Sequence, residues 1–270
     1  MNNTNNTLIV IPARYNSTRL PGKPLTMIAG KTLLQRVCEV AKQAATQISD
    51  VEILVATDDE RIMQHAISLD IPAIMTPTDC ATGTDRIIAA IQQLKSKPRS
   101  VINLQGDTPL TPINLITALL SALKTVDDNT IVTPVVQLSW TQLDSLRKTK
   151  LTGQFSGTTA ILNRENKALW FSKQIIPALR TEAELRSKSD LSPVYQHLGL
   201  YGYPTKMLEI FASLAPSHYE QLEGLEQLRL LENGYQIQAV KVALENMAAW
   251  RGVDTPEDVK FVEQLLEDSK

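Results

Sequence analysis

The chain has few cysteines and no long apolar run, and each shortage excludes a class of protein. Among 270 residues there are two cysteines, Cys38 and Cys80, which form neither a disulfide framework nor a metal-binding spacing. We therefore expect a protein of a reducing compartment, the cytoplasm. No segment approaches the ~18 uninterrupted apolar residues that predict a membrane span, and the N-terminus MNNTNNT is polar. Neither membrane insertion nor export is expected.

The chain also lacks an excess of charge of one sign. Its formal net charge is −2 and it contains no long basic run, which argues against a nucleic-acid surface. Any site for an anion must therefore be a local pocket. The fractions of hydrophobic and charged residues, 43% and 21%, are those of an ordinary globular protein long enough to be an enzyme.

Predicted strands and helices alternate along the first part of the chain. Apolar runs predict strands, and apolar residues at helical spacing predict helices, at 8–11, 32–46, 51–56, 60–69, 73–75, 85–94 and 101–104. This alternation favours an α/β fold with a mostly parallel central sheet and helices on both faces. Ligands of such folds bind beyond the carboxyl ends of the strands.

The middle of the chain is less regular, and the last part again alternates. We predict strands at 131–136, 157–162, 197–203 and 237–242, helices at 205–212, 221–232 and 256–266, and a loop or frayed helix at 180–193. No linker separates the middle from the rest. We therefore predict one domain, residues 1–270, with a smaller sheet attached, in which about residues 135–205 form a smaller subregion for binding a second ligand and for dimerisation.

A loop rich in cations follows the first predicted strand. It carries Arg14, Arg19 and Lys23, while Gly22 lets the chain turn before the next helix. Arginine offers forked donors to phosphate oxygens and lysine acts as a mobile point charge, so the mixture suits a triphosphate. The alternative is a solvated basic loop.

Two aspartates are candidates for binding Mg²⁺. Asp107 follows the buried strand 101–104, and Asp254 lies in the segment GVDTPED near the end of the chain. Magnesium is usually bound by one or two protein carboxylates together with substrate phosphates. The alternatives are a turn aspartate before proline for Asp107 and a helix cap, with Pro256 in the first turn, for Asp254.

Three further groups of polar residues are candidates for a second ligand. The segment TGTDR introduces a helix, where free amides and Arg86 suit a carboxylate, although a plain helix cap is the alternative. His197 and Tyr201 share one face of a predicted strand and either flank a polyhydroxylated ligand or belong to the core. Glu226 and Gln227 are left over on a helix whose leucines form the buried face.

Taken together, these segments resemble the CMP-Kdo synthetases. These cytidylyltransferases activate 3-deoxy-D-manno-oct-2-ulosonic acid (Kdo) for assembly of the lipopolysaccharide inner core. The similar segments are IPARYNSTRLPGKPL (11–25), ATDDERI (56–62), GTDRI (83–87), NLQGD (103–107), HLGLYGY (197–203), LEQLRLLENG (225–234) and GVDTPEDV (252–259). The resemblance spans nearly the whole chain. It implies the three-layer fold of nucleotide-diphospho-sugar transferases.

The resemblance also implies the reaction of CTP with Kdo to give CMP-Kdo and pyrophosphate. It makes Arg14, Lys23, Asp107 and Asp254 the catalytic residues, the two aspartates as Mg²⁺ ligands. The residues that it assigns to CTP are Pro12, Ala13, Arg14, Arg19, Lys23, Thr82 and Gly83. Those that it assigns to the sugar are Arg86, Gln105, His197, Tyr201, Glu226 and Gln227. It implies a homodimer, which adds to the expectation from charge and hydropathy that the chain has no nucleic-acid partner and no membrane insertion.

The chain departs from the family pattern at several positions. Thr108 stands where the family usually has Glu, Lys173 stands where it usually has Arg, and Thr159 lies in a strand where a basic residue is common. These changes keep open a related keto sugar acid, such as 8-amino-Kdo, as the substrate. A CTP-binding regulator without catalysis is a further alternative, against which the retained Asp107 and Asp254 argue.

Overall fold

The computed structural model describes residues 4–17, 19–153, 156–244 and 247–268. Its strands are β1 (Thr4–Ala13), β2 (Met27–Ile28), β3 (Lys31–Thr32), β4 (Val51–Thr57), β5 (Ala73–Met75), β6 (Pro98–Asn103), β7 (Thr130–Ser139), β8 (Thr159–Leu162), β9 (Ala168–Ser172), β10 (Leu191–His197), β11 (Tyr201–Pro204) and β12 (Gln236–Lys241). Its helices are α1 (Leu33–Ala45), α2 (Glu60–Ser68), α3 (Gly83–Gln93), α4 (Ile113–Leu123), α5 (Trp140–Leu151), α6 (Glu182–Lys188), α7 (Thr205–Ser213), α8 (His218–Glu223), α9 (Gln227–Glu232) and α10 (Pro256–Asp268). Short 3₁₀ turns lie at Lys23–Leu25 and Met247–Trp250. In these ranges no helix has both the length and the apolar character that crossing a membrane requires.

One sheet of ten strands runs through the molecule, and its first half is parallel. Strand β1 lies between β4 and β6, and β5 pairs with β4 at the edge. Beyond β6, antiparallel pairing predominates through β11, β7, β10, β8 and β9, while β12 pairs with β7 in parallel. The separate small sheet is the hairpin β2–β3. The predicted α/β class with a large central sheet is confirmed, and the smaller sheet is this hairpin and not the middle of the chain.

Helices cover both faces of the sheet because β1 is apolar on both faces. Ile9 and Ile11 belong to the hydrophobic cluster that includes α1 and α4, whereas Leu8 and Val10 belong to the cluster that includes α3 and α7. Successive strand side chains point to opposite faces, so these two sets lie on opposite faces of the sheet. Helix α1 buries an apolar stripe, and Thr32 caps it by accepting a hydrogen bond from the Gln35 backbone N–H.

Residues 135–205 do not form a separate sheet, because their strands continue the main one. The predicted single strand 197–203 is wrong: β10 ends at His197 and β11 begins at Tyr201. Between them the Leu200 N–H donates to the Leu198 carbonyl at 2.7 Å, and this tight turn interrupts the antiparallel pairing that both strands make with β7.

Two other element predictions need correction. The predicted helix 221–232 is divided into α8 and α9, since Gly224 ends α8 in the left-handed conformation (φ 62°). The polar stretch 180–193 contains a helix, α6, followed by the start of β10. The remaining strand and helix predictions agree with the structure to within a few residues at their ends.

Candidate functional site

The candidate site lies where β1, β4 and β6 end, at the carboxyl edge of the parallel half of the sheet. The cation-rich loop follows β1, and Gln105–Asp107 follow β6. The segment before α10 joins them, because the Val253 N–H donates to the Asp107 carbonyl at 2.8 Å. Gly106 is required at this junction, since a Cβ there would lie 2.4 Å from the Pro12 carbonyl oxygen. Close packing of the backbones therefore fixes Asp107 beside the cation-rich loop.

Lys23 lies between the two candidate metal ligands. Its Nζ donates to Asp107 Oδ2 at 2.9 Å and to Asp254 Oδ1 at 3.0 Å, and Arg19 Nη2 lies 3.0 Å from Asp254 Oδ2. Burial lowers the pKa of the Lys23 ammonium, but the two facing carboxylates raise it by more, so the net pKa lies above its ordinary value. The side chain is 15% exposed and is therefore a well-held charged group.

The carboxylate of Asp254 is not used as a helix cap. The cap of α10 is made by Asp258, whose Oδ2 accepts the backbone N–H groups of Asp254 (3.1 Å) and Thr255 (2.9 Å). The Asp254 side chain thus faces Lys23 and Arg19 instead. This arrangement excludes the capping alternative for Asp254.

The residues present fit a magnesium ion. Oxygens of Asp107 and Asp254 already converge on one cationic atom, Lys23 Nζ. No cluster of three or more His, Cys, Asp or Glu residues suited to a metal occurs in the described part of the chain. The protein would therefore supply two hard oxygen ligands and leave the others to phosphate and water, as Mg²⁺ commonly requires.

A cavity of about 330 Å³ opens beside this cluster on the side of the cation-rich loop. Every residue assigned to CTP lines it: Pro12, Ala13, Arg14, Arg19, Lys23, Thr82 and Gly83. Thr82 precedes α3 and caps it, exchanging hydrogen bonds with Asp85 in a capping box. The segment TGTDR therefore both caps α3 and forms part of the cavity wall. We call this space the cation-lined cavity.

A larger cavity of about 1060 Å³ lies on the other side of the two aspartates. Of the residues assigned to the sugar, it is lined by Gln105, His197, Tyr201, Glu226 and Gln227. Asp107, Asp254 and Gln105 line both cavities. Two ligands, one in each space, would therefore meet at the aspartates. We call this second space the neutral cavity, after the groups described next.

His197 is buried and neutral. Its Nε2 lies 2.8 Å from Thr133 Oγ1, and its ring packs on Phe171 and Tyr201 at centroid distances of 4.9 and 5.4 Å. Burial, with a smaller effect of Lys173, lowers its pKa from 6.5 to about 3. His197 and Tyr201 are therefore neighbours as predicted, although they lie on different strands.

Glu226 and Gln227 present polar groups with few partners. Glu226 Oε2 accepts a hydrogen bond from Thr84 Oγ1 at 2.8 Å, and burial raises the pKa of the Glu226 carboxyl above its ordinary value. Gln227 is 4% exposed, and its buried Nε2 has no hydrogen-bond partner among the described residues. A buried donor without an acceptor is costly, so this atom suits an acceptor on a ligand.

Arg86 does not line the neutral cavity, which corrects its predicted position beside the other sugar residues. Its side chain is 3% exposed and lies behind the cation-lined cavity, with Nη2 2.8 Å from Asp58 Oδ2 and Nη1 2.6 Å from Thr76 Oγ1. The sequence predicts Arg86 near a ligand site because it lies in the first turn of α3, next to free backbone amides. Its ion-pair partner comes from the end of β4, which local sequence does not indicate.

The neutral cavity also contains residues that sequence reasoning did not assign to it. Asn103 at the end of β6 and Thr84 in α3 lie in its wall, together with Lys173, which follows β9. Burial lowers the pKa of the Lys173 ammonium, and nearby Glu223 opposes that effect. Lys173 stands out in sequence only as a departure from the family's arginine.

Known proteins are similar to this chain over nearly its full length. The family model described as cytidylyltransferase matches residues 8–239. A 3-deoxy-manno-octulosonate cytidylyltransferase of Maricaulis maris is 42% identical, with 96% of both chains covered. A mitochondrial protein of the same name from Arabidopsis thaliana is 36% identical, covering 95% of this chain and 82% of its own. A solved structure of CMP:2-keto-3-deoxy-manno-octonic acid synthetase complexed with CTP is 33% identical, with a TM-score of 0.81, covering 98% of this chain and 100% of that one.

Proposed function

This chain belongs to the cytidylyltransferase family, and on that premise we propose that it joins CTP to Kdo, giving CMP-Kdo and pyrophosphate. Relatives covering nearly the whole chain are named for this reaction. The structural observation that carries the proposal is the meeting of the two cavities at Asp107 and Asp254. One cavity offers cations to a triphosphate, and the other offers neutral polar groups, together with Lys173 and Arg251, to a polyhydroxylated acid.

In the proposed reaction, the 2-hydroxyl oxygen of Kdo attacks the α-phosphorus of CTP. The new P–O bond forms as the bond to the β-phosphate oxygen breaks, so pyrophosphate leaves with that electron pair and the hydroxyl proton passes to solvent or a basic oxygen. No covalent enzyme intermediate is required. The residues act by positioning the two substrates and by neutralising charge.

The cations of the loop bind the triphosphate in this proposal. Arg14 and Arg19 line the open part of the cation-lined cavity, while Lys23 lies at its boundary with the neutral cavity. Lys23 is therefore close to the phosphate oxygens that gain charge as pyrophosphate leaves. A positive group aimed at developing charge lowers the barrier because it needs no reorganisation.

We propose that Asp107 and Asp254 hold Mg²⁺. When bound, the ion would neutralise phosphate charge and lower the pKa of a coordinated hydroxyl. Asp107 and Asp254 would then leave Lys23 free to move toward the phosphates. Because the aspartates line both cavities, they also set the distance between acceptor and donor.

The neutral cavity would orient the sugar acid. Lys173 supplies a cation for the carboxylate, whereas Glu226, Gln227 and Tyr201 suit hydroxyl groups. Uncharged His197 adds no further cation to a wall that already holds Lys173 and, at its exposed part, Arg251, which is paired with Asp258. These contacts would fix which end of the sugar faces Asp107.

We also propose a homodimer in the cytoplasm that supplies CMP-Kdo for lipopolysaccharide. Both cysteines are free thiols, as in most proteins of a reducing compartment. Strand β9 forms one edge of the sheet and leaves Leu169 58% exposed, which suits pairing with a second copy. Light scattering of the purified protein would measure the oligomeric state.

The proposed function is tested by pyrophosphate release from CTP and Mg²⁺ with Kdo, 8-amino-Kdo or N-acetylneuraminate in separate reactions. We expect turnover with Kdo, abolished in Asp107→Asn and retained in Asp128→Asn, an exposed carboxylate outside both cavities. Turnover only with another acid would keep cytidylyl transfer and overturn Kdo as the substrate. CTP binding without turnover on any acid would overturn the enzymatic proposal.

A further inference from the structure

Asp58 lies beneath the cation-lined cavity and is one of the least exposed carboxylates near the site. It follows β4 directly, and its side chain is 7% exposed. Its two oxygens have different partners: Oδ2 accepts from Arg86 Nη2 at 2.8 Å, and Oδ1 accepts from the Tyr15 backbone N–H at 3.2 Å. One buried side chain therefore connects α3 with the cation-rich loop.

Tyr15 stabilises the turn of the cation-rich loop through its backbone and its ring. Its carbonyl accepts the N–H groups of Ser17 and Gly22, both at 3.0 Å, so the turn closes on Tyr15. The ring packs against Gly22, where a Cβ would lie 3.2 Å from it. The Tyr15 ring also contacts Arg61, whose guanidinium carbon lies 3.6 Å from the ring centroid. A two-pronged ion pair with Asp59 holds the Arg61 guanidinium in this position.

Arg86 makes the buried carboxylate compatible with a polyanion. An unpaired Asp58 beneath the cavity would repel a triphosphate, and an unpaired Arg86 would itself be a costly buried charge. The pair is neutral overall, and Thr76 satisfies another Arg86 nitrogen at 2.6 Å. The Nη1 and Nη2 groups of Arg86 thus donate to protein atoms and not to a ligand. This role differs from direct contact with a sugar.

We propose that Asp58 is a positioning residue for nucleotide binding: through Tyr15 it fixes the loop that carries Arg14, Arg19 and Lys23, and Arg86 keeps it neutral. The proposal rests on the proposed function, because the loop is taken to bind the triphosphate of CTP. It implies that Asp58 and Arg86 govern affinity for the nucleotide and not for the sugar acid.

The test compares CTP binding and kinetics in matched variants of the full chain. Asp58→Asn keeps the shape of the side chain but gives the Tyr15 N–H a weaker, uncharged acceptor and leaves Arg86 without its carboxylate, so the loop is held less firmly. Asp128→Asn makes the same chemical change at the surface. CTP affinity is measured by calorimetry with Mg²⁺ and no sugar, and KM is measured for each substrate. We expect Asp58→Asn to weaken CTP binding about tenfold, with KM for Kdo changed less than about twofold.

Two further variants separate positioning from general damage. Asp58→Asn combined with Arg86→Gln leaves no unpaired charge and should recover part of the CTP affinity. Asp58→Glu keeps the charge against Arg86 but displaces the oxygen that binds Tyr15. It should fold and still bind CTP weakly, so it carries the test where Asp58→Asn does not fold.

Three outcomes overturn the proposal. One is a rise in KM for Kdo with unchanged CTP affinity in Asp58→Asn, which would make Arg86 a sugar residue. Another is reduced thermal stability with CTP affinity equal to that of the unaltered protein, which would make the pair merely structural. If the unaltered protein binds no CTP, the proposed function fails together with this inference, whereas the first two outcomes leave the proposed function intact.

Discussion

The two cavities are built on opposite electrostatic principles. The cation-lined cavity is surrounded by ion pairs that hold their members in place, among them Arg19–Asp254, Lys23–Asp107 and Arg86–Asp58. The neutral cavity is lined by buried His197, half-buried Tyr201, an unpartnered Gln227 nitrogen and the Glu226 carboxyl group, whose pKa is raised. In the first wall Arg19, Lys23 and Arg86 already have carboxylate partners before any ligand arrives, whereas the second wall has unused hydrogen-bonding groups.

This difference follows from what each wall is expected to recognise. A triphosphate carries several charges, so fixed cations bind it without needing an exact fit of every atom. A sugar acid differs from its competitors by the placement of hydroxyl groups, and buried groups awaiting a partner discriminate strongly against a ligand that leaves them unpaired. We therefore expect changes in the first wall to alter rate and nucleotide affinity, and changes in the second to alter sugar affinity.

Asp107→Asn should give the largest effect, because Asp107 lies on the boundary of both cavities. Loss of its charge removes a proposed metal ligand and should lower kcat by about a thousandfold while leaving the fold intact, since the amide has the same shape. Pyrophosphate release measures kcat, and thermal unfolding measures the fold. Retention of more than a tenth of the activity would remove Asp107 from the catalytic residues.

Lys23→Met should have the next largest effect and acts on the cation-lined side. We expect kcat to fall about a hundredfold with little change in KM for Kdo. Without Lys23 the carboxylate of Asp107 loses its cation and Asp254 keeps only the exposed Arg19, which should lower the free energy of unfolding by about 1–2 kcal/mol in metal-free buffer. Mg²⁺ should then stabilise the variant more than the unaltered protein, as unfolding with and without MgCl₂ would show. Equal stabilisation of both proteins by Mg²⁺ would contradict the idea that Mg²⁺ and Lys23 Nζ occupy the same position between Asp107 and Asp254.

Gln227→Leu tests the unused donor of the neutral cavity. Its Nε2 is buried without a partner, so we expect the variant without ligand to be as stable as the unaltered protein or more stable by about 1 kcal/mol. KM for the sugar should nevertheless rise about tenfold, with KM for CTP unchanged. Kinetics and urea unfolding on the same preparations give both quantities. A rise in KM for CTP instead would contradict the assignment of the neutral cavity to the sugar.

Replacing His197 should have the smallest effect, a change in how the free energy of unfolding depends on pH. Its folded pKa of about 3 lies below the ordinary 6.5, so the unfolded chain binds a proton first as the pH falls. Between about pH 7 and about pH 5.5 this difference should cost the folded state about 1 kcal/mol. His197→Gln should lose that much less stability over the same interval in urea unfolding. Identical losses in both proteins would show that His197 is not held neutral.

The cation-lined cavity was largely predictable because its residues directly follow strand ends. Pro12, Ala13 and Arg14 are fixed by the end of β1, and Thr82 and Gly83 by the start of α3, so fold class alone brings them together. The neutral cavity was less predictable. His197 and Tyr201 were placed on one strand, and it is the turn at 198–200 that brings their rings together.

Long-range pairing explains the remaining errors. The partner of Arg86 is Asp58, and nothing in the periodicity of either element connects the two. The break at Gly224 depends on one left-handed residue, whereas the leucines on either side continue the helical pattern. Hydrophobic spacing predicts which face is buried. It does not predict which polar groups meet across the sheet.

The joining of Asp254 to the first loop has a consequence for biosynthesis. Lys23 and Asp254 are 231 residues apart in sequence, although their charged atoms are 3.0 Å apart. At ribosomal rates of about 5–20 residues per second, the carboxylate leaves the ribosome about 10–50 s after the lysine. The parallel half of the sheet is complete well before that. A growing chain therefore acquires its sheet first and the proposed catalytic centre last, and a chain shortened before Asp254 keeps the strands of the fold but lacks that proposed centre.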